Sequence, residues 1–403
     1  MSHSLQETAL SALLAGIRVL DFGRYIAGPY CGALLAEYGA DVIRIEKRTG
    51  SEDRFVAPVG AGGEGANFLM MNRNKRSITF DPMHRDARAV LHRLVSTADI
   101  VLANLPDGTL KAMGLDYANL SSIKPDIILT TSNAYGQTGP MVKNVGFDGI
   151  GQAMSGSVYM SGQADLPSRT AVPWVDFSTA LHCAFATMAA LMERGKSGRG
   201  QHVQGSLLGT AVTLASTLLI EQGVIDINRV PTGNRSQTSG PVDIFKTQDG
   251  WILVQVVGNP LYERWAKLMG EPHWLTDPRF ASDQARGDNG EAISARMSQW
   301  CAQRSNGQIV AILGEAKIPC GEVLTPQQTL DHPQVKAMGV LNAIDYPGLP
   351  KPAPIASVPI KMSLTQAVPM RRPPLLGENT DEVLGALGYD AAALAQMRNS
   401  GVI

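Results

Sequence analysis

The sequence predicts a mixed α/β protein built on a parallel sheet, and two observations carry that reading. Short apolar strand-like runs alternate with helical segments over roughly the first 135 residues, the order that produces βαβ units. The chain has 403 residues, 44% of them hydrophobic and 18% charged, a globular composition too long for one ordinary core. We therefore expect two domains, or one large domain with an insertion.

The elements follow in order. Residues 17–22 (IRVLDF) make a first strand ending before Gly23. Tyr30–Tyr38 has helical spacing and stops at Gly39, a residue suited to a left-handed C-terminal cap. Residues 41–47 (DVIRIEK) alternate as a strand does. The pattern then recurs: helix 86–96 and strand 98–104, helix 117–123 and strand 126–132. A long apolar helix is expected over 176–195, then a basic turn with a strand (KSGRGQHVQGSLL), then a second apolar helix over 210–222. Residues 227–245 are rich in turn formers and mark the crossing into the inserted domain. There a hairpin turns at Gln248-Asp249-Gly250, and helices are expected over 262–269, 289–303 and 306–316. Proline-rich extended segments follow, ending with a helix over 380–387.

Composition excludes several functions. Thirty-five Lys+Arg against 36 Asp+Glu leave a formal charge of −1, unlike a nucleic-acid-binding surface. The four cysteines (Cys31, Cys183, Cys301, Cys320) form no CxxC pair and the seven histidines no metal-binding spacing, so no metal is expected. No secretory signal and no run of 18 apolar residues is visible, so a cytoplasmic protein with free thiols and no membrane span is expected. Gly60–Gly65 matches G-x-G-x-x-G, but Pro58 precedes it where a dinucleotide site needs a strand, so it reads as a loop.

Four segments could carry chemistry. Lys47–Arg48 and Arg73–Arg76 concentrate cations near predicted strands, where a ligand's phosphates could be met, or else they are solvated loops. Asp176, at the start of the long helix, is either an ordinary N-cap or a carboxylate kept ionised by the helix N-terminus and able to act as a nucleophile. Tyr135–Pro140 (YGQTGP) is either an ordinary turn or one whose glycines bring backbone N–H groups to a reacting carbonyl.

The order of several segments resembles the class III (CaiB/BaiF-type) CoA-transferases. They are RVLDFGRYIAGPYCGALLAEYGADVIRIEK, NRNKRSITFD, ADIVLANLPDG, SNAYGQTGP, GFDGIGQAMSG, VPWVDFSTALH, KSGRGQHV and PLLGENTDEVL. The resemblance implies a large Rossmann-like domain formed by both chain ends with a smaller α+β domain inserted, with boundaries expected at 1–224, 225–330 and 331–403, and an interlocked homodimer. It also implies acyl-CoA and carboxylic acid substrates and an Asp nucleophile at the position of Asp176, which passes through a mixed anhydride and an aspartyl-CoA thioester. Oxyanion donors are implied at Tyr135 and Gly136. Contacts to CoA are implied at Arg24, Tyr25, Ile26, Ala27, Lys47, Arg48, Asn72, Lys75, Arg76 and Thr109.

Departures from the family pattern narrow the expectation. Where formyl-CoA transferases carry an Arg before Met-Gly, this chain has Ala112, with Lys111 as the substitute phosphate partner. Residues 232–240 (TGNRSQTSG) lack the glycine run of those enzymes, which disfavours formyl and oxalate specificity. The family's α-methylacyl-CoA racemases use a His–Asp pair with the His in Gly-His-Asp. Here Phe147 stands in that place and cannot move a proton. The expectation is intermolecular CoA transfer, with a dicarboxylate among the candidate acceptors and Arg235 as a partner for its second carboxylate. Intramolecular transfer within one dicarboxylic acid and acyl-CoA isomerisation are the alternatives.

Overall fold

The computed structural model describes residues 12–403. The chain divides into two compact units. The first holds residues up to Ser155, Thr170–Ser216 and Lys336–Ile403; the second holds Gly156–Arg169 and Thr217–Val335.

The first unit carries β1 (Arg18–Asp21), α1 (Ala27–Glu37), β2 (Asp41–Glu46), α2 (Ala66–Met71), β3 (Arg76–Thr79), α3 (Arg88–Ser96), β4 (Ile100–Ala103), α4 (Asp107–Met113), α5 (Tyr117–Ile123), β5 (Ile128–Asn133) and α6 (Asp148–Met154). After α7 (Ser157–Met160) and a short ribbon of β6 (Gly162–Gln163) with β7 (Leu166–Pro167), in the second unit, it resumes with α8 (Trp174–Ser197), β8 (His202–Ser206) and α9 (Leu207–Leu214). Six strands form one all-parallel sheet in the order β3-β2-β1-β4-β5-β8.

The near-continuous apolar runs of these strands follow from that sheet being covered on both sides. Successive side chains point to opposite faces. Leu20, Ile43, Val101 and Leu129 join one core with Val90, Leu91 and Leu94 of α3. Their neighbours Val19, Val42, Ile100 and Ile128 join another with Leu34 and Leu35 of α1 and with Ala180, Cys183 and Ala184 of α8.

α8 is long and apolar enough to cross a membrane by length and composition alone. One face packs on the sheet, while Leu181, Phe185 and Met192 on the other are exposed.

The second unit is built on an antiparallel sheet, β9 (Val242–Lys246), β10 (Trp251–Gln255) and β11 (Cys320–Glu322), in the order β11-β10-β9. The hairpin closes with the Thr247 N–H on the Gly250 carbonyl. Around it lie α10 (Ser216–Ile225), α11 (Asn259–Leu268), α12 (Asp283–Asp288), α13 (Gly290–Cys301), α14 (Asn306–Glu315) and α15 (Pro326–Asp331). Trp265, Ile293, Met297 and Leu313 fill its core with Phe245, Ile252 and Val254 of the hairpin.

Back in the first unit, α16 (Pro333–Met338), which spans the boundary, leads to the hairpin β12 (Leu341–Ile344) and β13 (Ala353–Ala356), then α17 (Thr380–Ala386) and α18 (Ala391–Ser400).

Three local readings differ from the sequence expectations. The NRNKRS stretch runs into β3, so its cations belong to a buried sheet edge and not to an open loop. The single helix expected over 210–222 is two, α9 and α10, bent by 65° at Ala215; Thr213 returns its hydroxyl to the Gly209 carbonyl, a bond that bends helices. The chain also continues past the expected last helix into α18, capped by Asp390 and ended by Gly401 in the left-handed conformation.

Candidate active site

Because β1, β4, β5 and β8 run parallel, their carboxyl ends lie along one edge of the sheet, where ligands of such folds are bound. Four turns meet there. Phe22–Ile26 leaves β1, Asn104 follows β4, Ala134–Gly136 follow β5, and α9 starts directly after β8. Ala27 at the start of α1, Val175 of α8 and Leu207 and Ala211 of α9 form one apolar cluster, with Trp174 packed against it. At Gly151 of α6 an added Cβ would lie 2.9 Å from Val175 Cγ1, so α6 approaches α8 closely.

Asp176 occupies the first turn of α8 and is 9% exposed. Pro173 stands at the cap position and contributes no side-chain bond. The cap comes from elsewhere. Asp148 Oδ1 accepts from the N–H groups of Val175 at 2.8 Å and Asp176 at 3.0 Å. Its Oδ2 accepts from Gln152 Nε2 at 2.5 Å, and Gln152 Oε1 accepts from the Thr170 N–H at 3.1 Å, tying down the segment that enters α8.

The Asp176 carboxylate itself therefore caps nothing. Burial, then the charge of Asp148, push its carboxyl up to about 7. Burial and the neighbouring charge thus oppose the ionising effect expected of a helix N-terminus. One turn on, the buried Thr179 hydroxyl has no hydrogen-bond partner among the described residues.

The turn after β1 is tightly held. Asn104 grips the Arg24 backbone from both sides, accepting its N–H at 2.6 Å and donating to its carbonyl at 2.8 Å. Sequence reading assigned Asn104 no role; its place directly after a strand was the signal. Tyr25 has φ +62°, a left-handed conformation, and Asn67 donates to its carbonyl. Its ring meets Phe147 edge-on at 5.4 Å, linking this turn to the start of α6. Ile26 and Ala27 lead into α1, and the Arg24 guanidinium donates to the Phe22 and Gly23 carbonyls.

The cations separate into two groups. Lys47, paired with Glu52, and Arg48, both after β2, are exposed, as are Thr109 and Lys111 on α4. Lys75 and Arg76 are not open cations. Lys75 is fully buried and donates to Asp21 Oδ2 at 2.7 Å, the Pro29 carbonyl at 2.7 Å and Asn72 Oδ1 at 3.0 Å, which uses all three of its donors. Burial lowers its ammonium to about 8 against the pull of Asp21. Arg76 holds Asp41 with two nitrogens and Glu382 with the third. Asn72 donates to the Phe68 carbonyl. All three are engaged within the framework.

Gly136 has φ +86°, which suits glycine, but its N–H donates to Asn133 Oδ1 at 2.6 Å. It is not a free oxyanion donor in this state. Arg235 lines a cavity of about 550 Å³ within the second unit, with Thr232, Ser236 and Thr238. The Gly60–Gly65 stretch is a loop with no strand leading into it.

A family model described as CoA-transferase family III matches residues 14–380. The chain is 31% identical to succinyl-CoA–D-citramalate CoA-transferase of Chloroflexus aurantiacus over 97% of its own length and 98% of that protein. It is 30% identical to formyl-CoA:oxalate CoA-transferase of Bradyrhizobium diazoefficiens over 98% of both. Among solved structures, a CaiB/BaiF family protein from Brucella suis superposes with a TM-score of 0.82 at 28% identity, covering 93% of this chain and 99% of that one.

Proposed function

We propose, from the premise that the chain belongs to CoA-transferase family III, that it moves CoA from an acyl-CoA to a carboxylic acid through Asp176. The Asp176 carboxylate attacks the thioester carbonyl and expels CoA thiolate, leaving a mixed anhydride. The thiolate then attacks the aspartyl carbonyl, releasing the donor acid and forming an aspartyl-CoA thioester. The acceptor carboxylate attacks that thioester, expels the thiolate and forms a second anhydride. The thiolate takes the acceptor acyl group and frees Asp176.

The observation that carries this reading is a buried, unheld carboxylate at a helix start, with its capping duty taken over by Asp148. A desolvated carboxylate that titrates near neutrality is more basic, and so more nucleophilic, than an exposed one.

In this reading the Arg24–Ala27 turn cradles CoA, and the exposed Lys47, Arg48 and Lys111 meet its phosphates, with Thr109 beside them. Asn72, Lys75 and Arg76 hold that framework from behind, and Tyr135 and Gly136 serve the oxyanion after Gly136 leaves Asn133. A dicarboxylate acceptor is favoured by the acids in the two relatives' names, oxalate and citramalate, which each carry two carboxylates. The assembly is an interlocked homodimer, which would cover the exposed Leu181, Phe185 and Met192 of α8. The large domain is discontinuous and carries the smaller one as an insertion, and the compartment is the cytoplasm.

Mixing each of a panel of acyl-CoAs with each of a panel of mono- and dicarboxylic acids, and separating the CoA thioesters, tests the proposal. The expected result is acceptor-CoA appearing as donor-CoA disappears. Proton exchange at the α-carbon without any new thioester would replace the transferase reading with an isomerase.

A further inference from the structure

The cap on α8 is unusual in its source. A helix that begins with an acidic residue in its first turn would ordinarily let that residue engage the free N–H groups there. Here those groups are occupied by a carboxylate from a different helix, 28 residues earlier in the chain. Asp148 has no slack: one oxygen takes two backbone N–H groups and the other takes Gln152, which in turn binds Thr170.

Resting on the reading of Asp176 as nucleophile, we propose that Asp148 is its positioning residue, taking the helix donors so that the Asp176 carboxylate is left without a partner and free to react.

The same arrangement has an electrostatic side. A carboxylate held by the N–H groups of a helix start is stabilised in its charged form and titrates low. Asp176 lacks that stabilisation and faces a like charge, and its carboxyl is displaced upward by burial first and Asp148 second. The elements packed on α8 are α1, α6, α9, β5 and β8. Their ionisable side chains are Tyr30, Cys31 and Glu37 on α1, Asp148 on α6 and His202 on β8; α9 and β5 carry none. His182, Cys183, Glu193, Arg194 and Lys196 lie along α8 itself. Of all these, Asp148 is the charge that bears on Asp176.

The test reads the Asp176 carboxyl directly, so it does not depend on turnover. Protein labelled with ¹³C at aspartate carboxyls is titrated by NMR, and Asp176→Asn identifies the resonance. Wild type is compared with Asp148→Asn, which keeps an acceptor oxygen without the charge, and with Asp148→Ser, a shorter neutral cap. In the wild type the resonance titrates near 7, and in either folded variant its midpoint falls. A wild-type midpoint in the ordinary range near 4, or the same midpoint in wild type and a folded variant, overturns the proposal. Absence of any acyl adduct alongside the expected titration instead rejects the transferase reading and leaves the pairing of the two carboxylates standing.

Discussion

Replacing Asp176 by Asn removes the group that a nucleophilic mechanism needs, and the structure predicts that it also stabilises the ligand-free protein. The carboxyl titrates at about 7 in the folded chain against an ordinary value of 3.8, a rise of about 3 units. At 1.36 kcal/mol per unit, ionised Asp176 costs about 4 kcal/mol of folding free energy once both states are deprotonated. The sign follows from proton counts. Between 3.8 and 7 the folded chain binds more protons than the unfolded one, so this group's contribution is favourable at low pH and is lost as pH rises through 7. Asn keeps the shape and carries no charge. Urea unfolding followed by circular dichroism at pH 4 and pH 8.5 measures the difference. The Asn variant should gain on wild type as pH rises, by up to about 4 kcal/mol across that interval. A margin that stays flat with pH, or a wild type more stable at pH 8.5, would refute the argument that Asp176 is desolvated and unheld.

Other substitutions probe the framework. Lys75→Met takes the paired ammonium from buried Asp21, which keeps only the Gly23 N–H and the more distant charge of Arg44, and should cost about 3 kcal/mol in the same unfolding assay; a loss under about 1 kcal/mol would contradict the buried pair. Thr179→Val removes a buried hydroxyl without a partner and should raise stability by about 1 kcal/mol, whereas a loss of that size would mean the hydroxyl is satisfied. Gly65→Ala sets a Cβ 1.8 Å from the Val56 carbonyl oxygen, so thermal unfolding should fall by several degrees, and an unchanged transition would refute the contact. Asn104→Ala releases the Arg24 backbone on both sides and should raise KM for acyl-CoA about tenfold with kcat little changed; the reverse split would place Asn104 nearer the chemistry.

The parallel sheet was legible because its strands are buried on both faces and so read as apolar runs between helices, as in 98–104 and 126–132. Helix starts were harder. Pro29 and Pro260 sit in first turns, where a missing N–H costs nothing, and both helices begin earlier than their apolar spacing suggested. The cationic stretch 72–76 showed its charges but not their partners. Asp21, Asp41 and Glu382 are brought to it by the fold from as far as 306 residues away and pair with its cations. Asp148 was visible only as the neighbour of a missing histidine. Its role as a cap exists because α6 packs against α8, a contact that no local pattern encodes.

The most direct test of the account is a covalent one. The protein is incubated with each acyl-CoA of a donor panel and quenched, and its intact mass is measured before and after hydroxylamine, with peptide mapping to locate any adduct. The account predicts a hydroxylamine-sensitive acyl or CoA adduct on Asp176, absent from Asp176→Ala. An adduct that persists in Asp176→Ala, or acceptor-CoA formed at the wild-type rate by that variant, would contradict it.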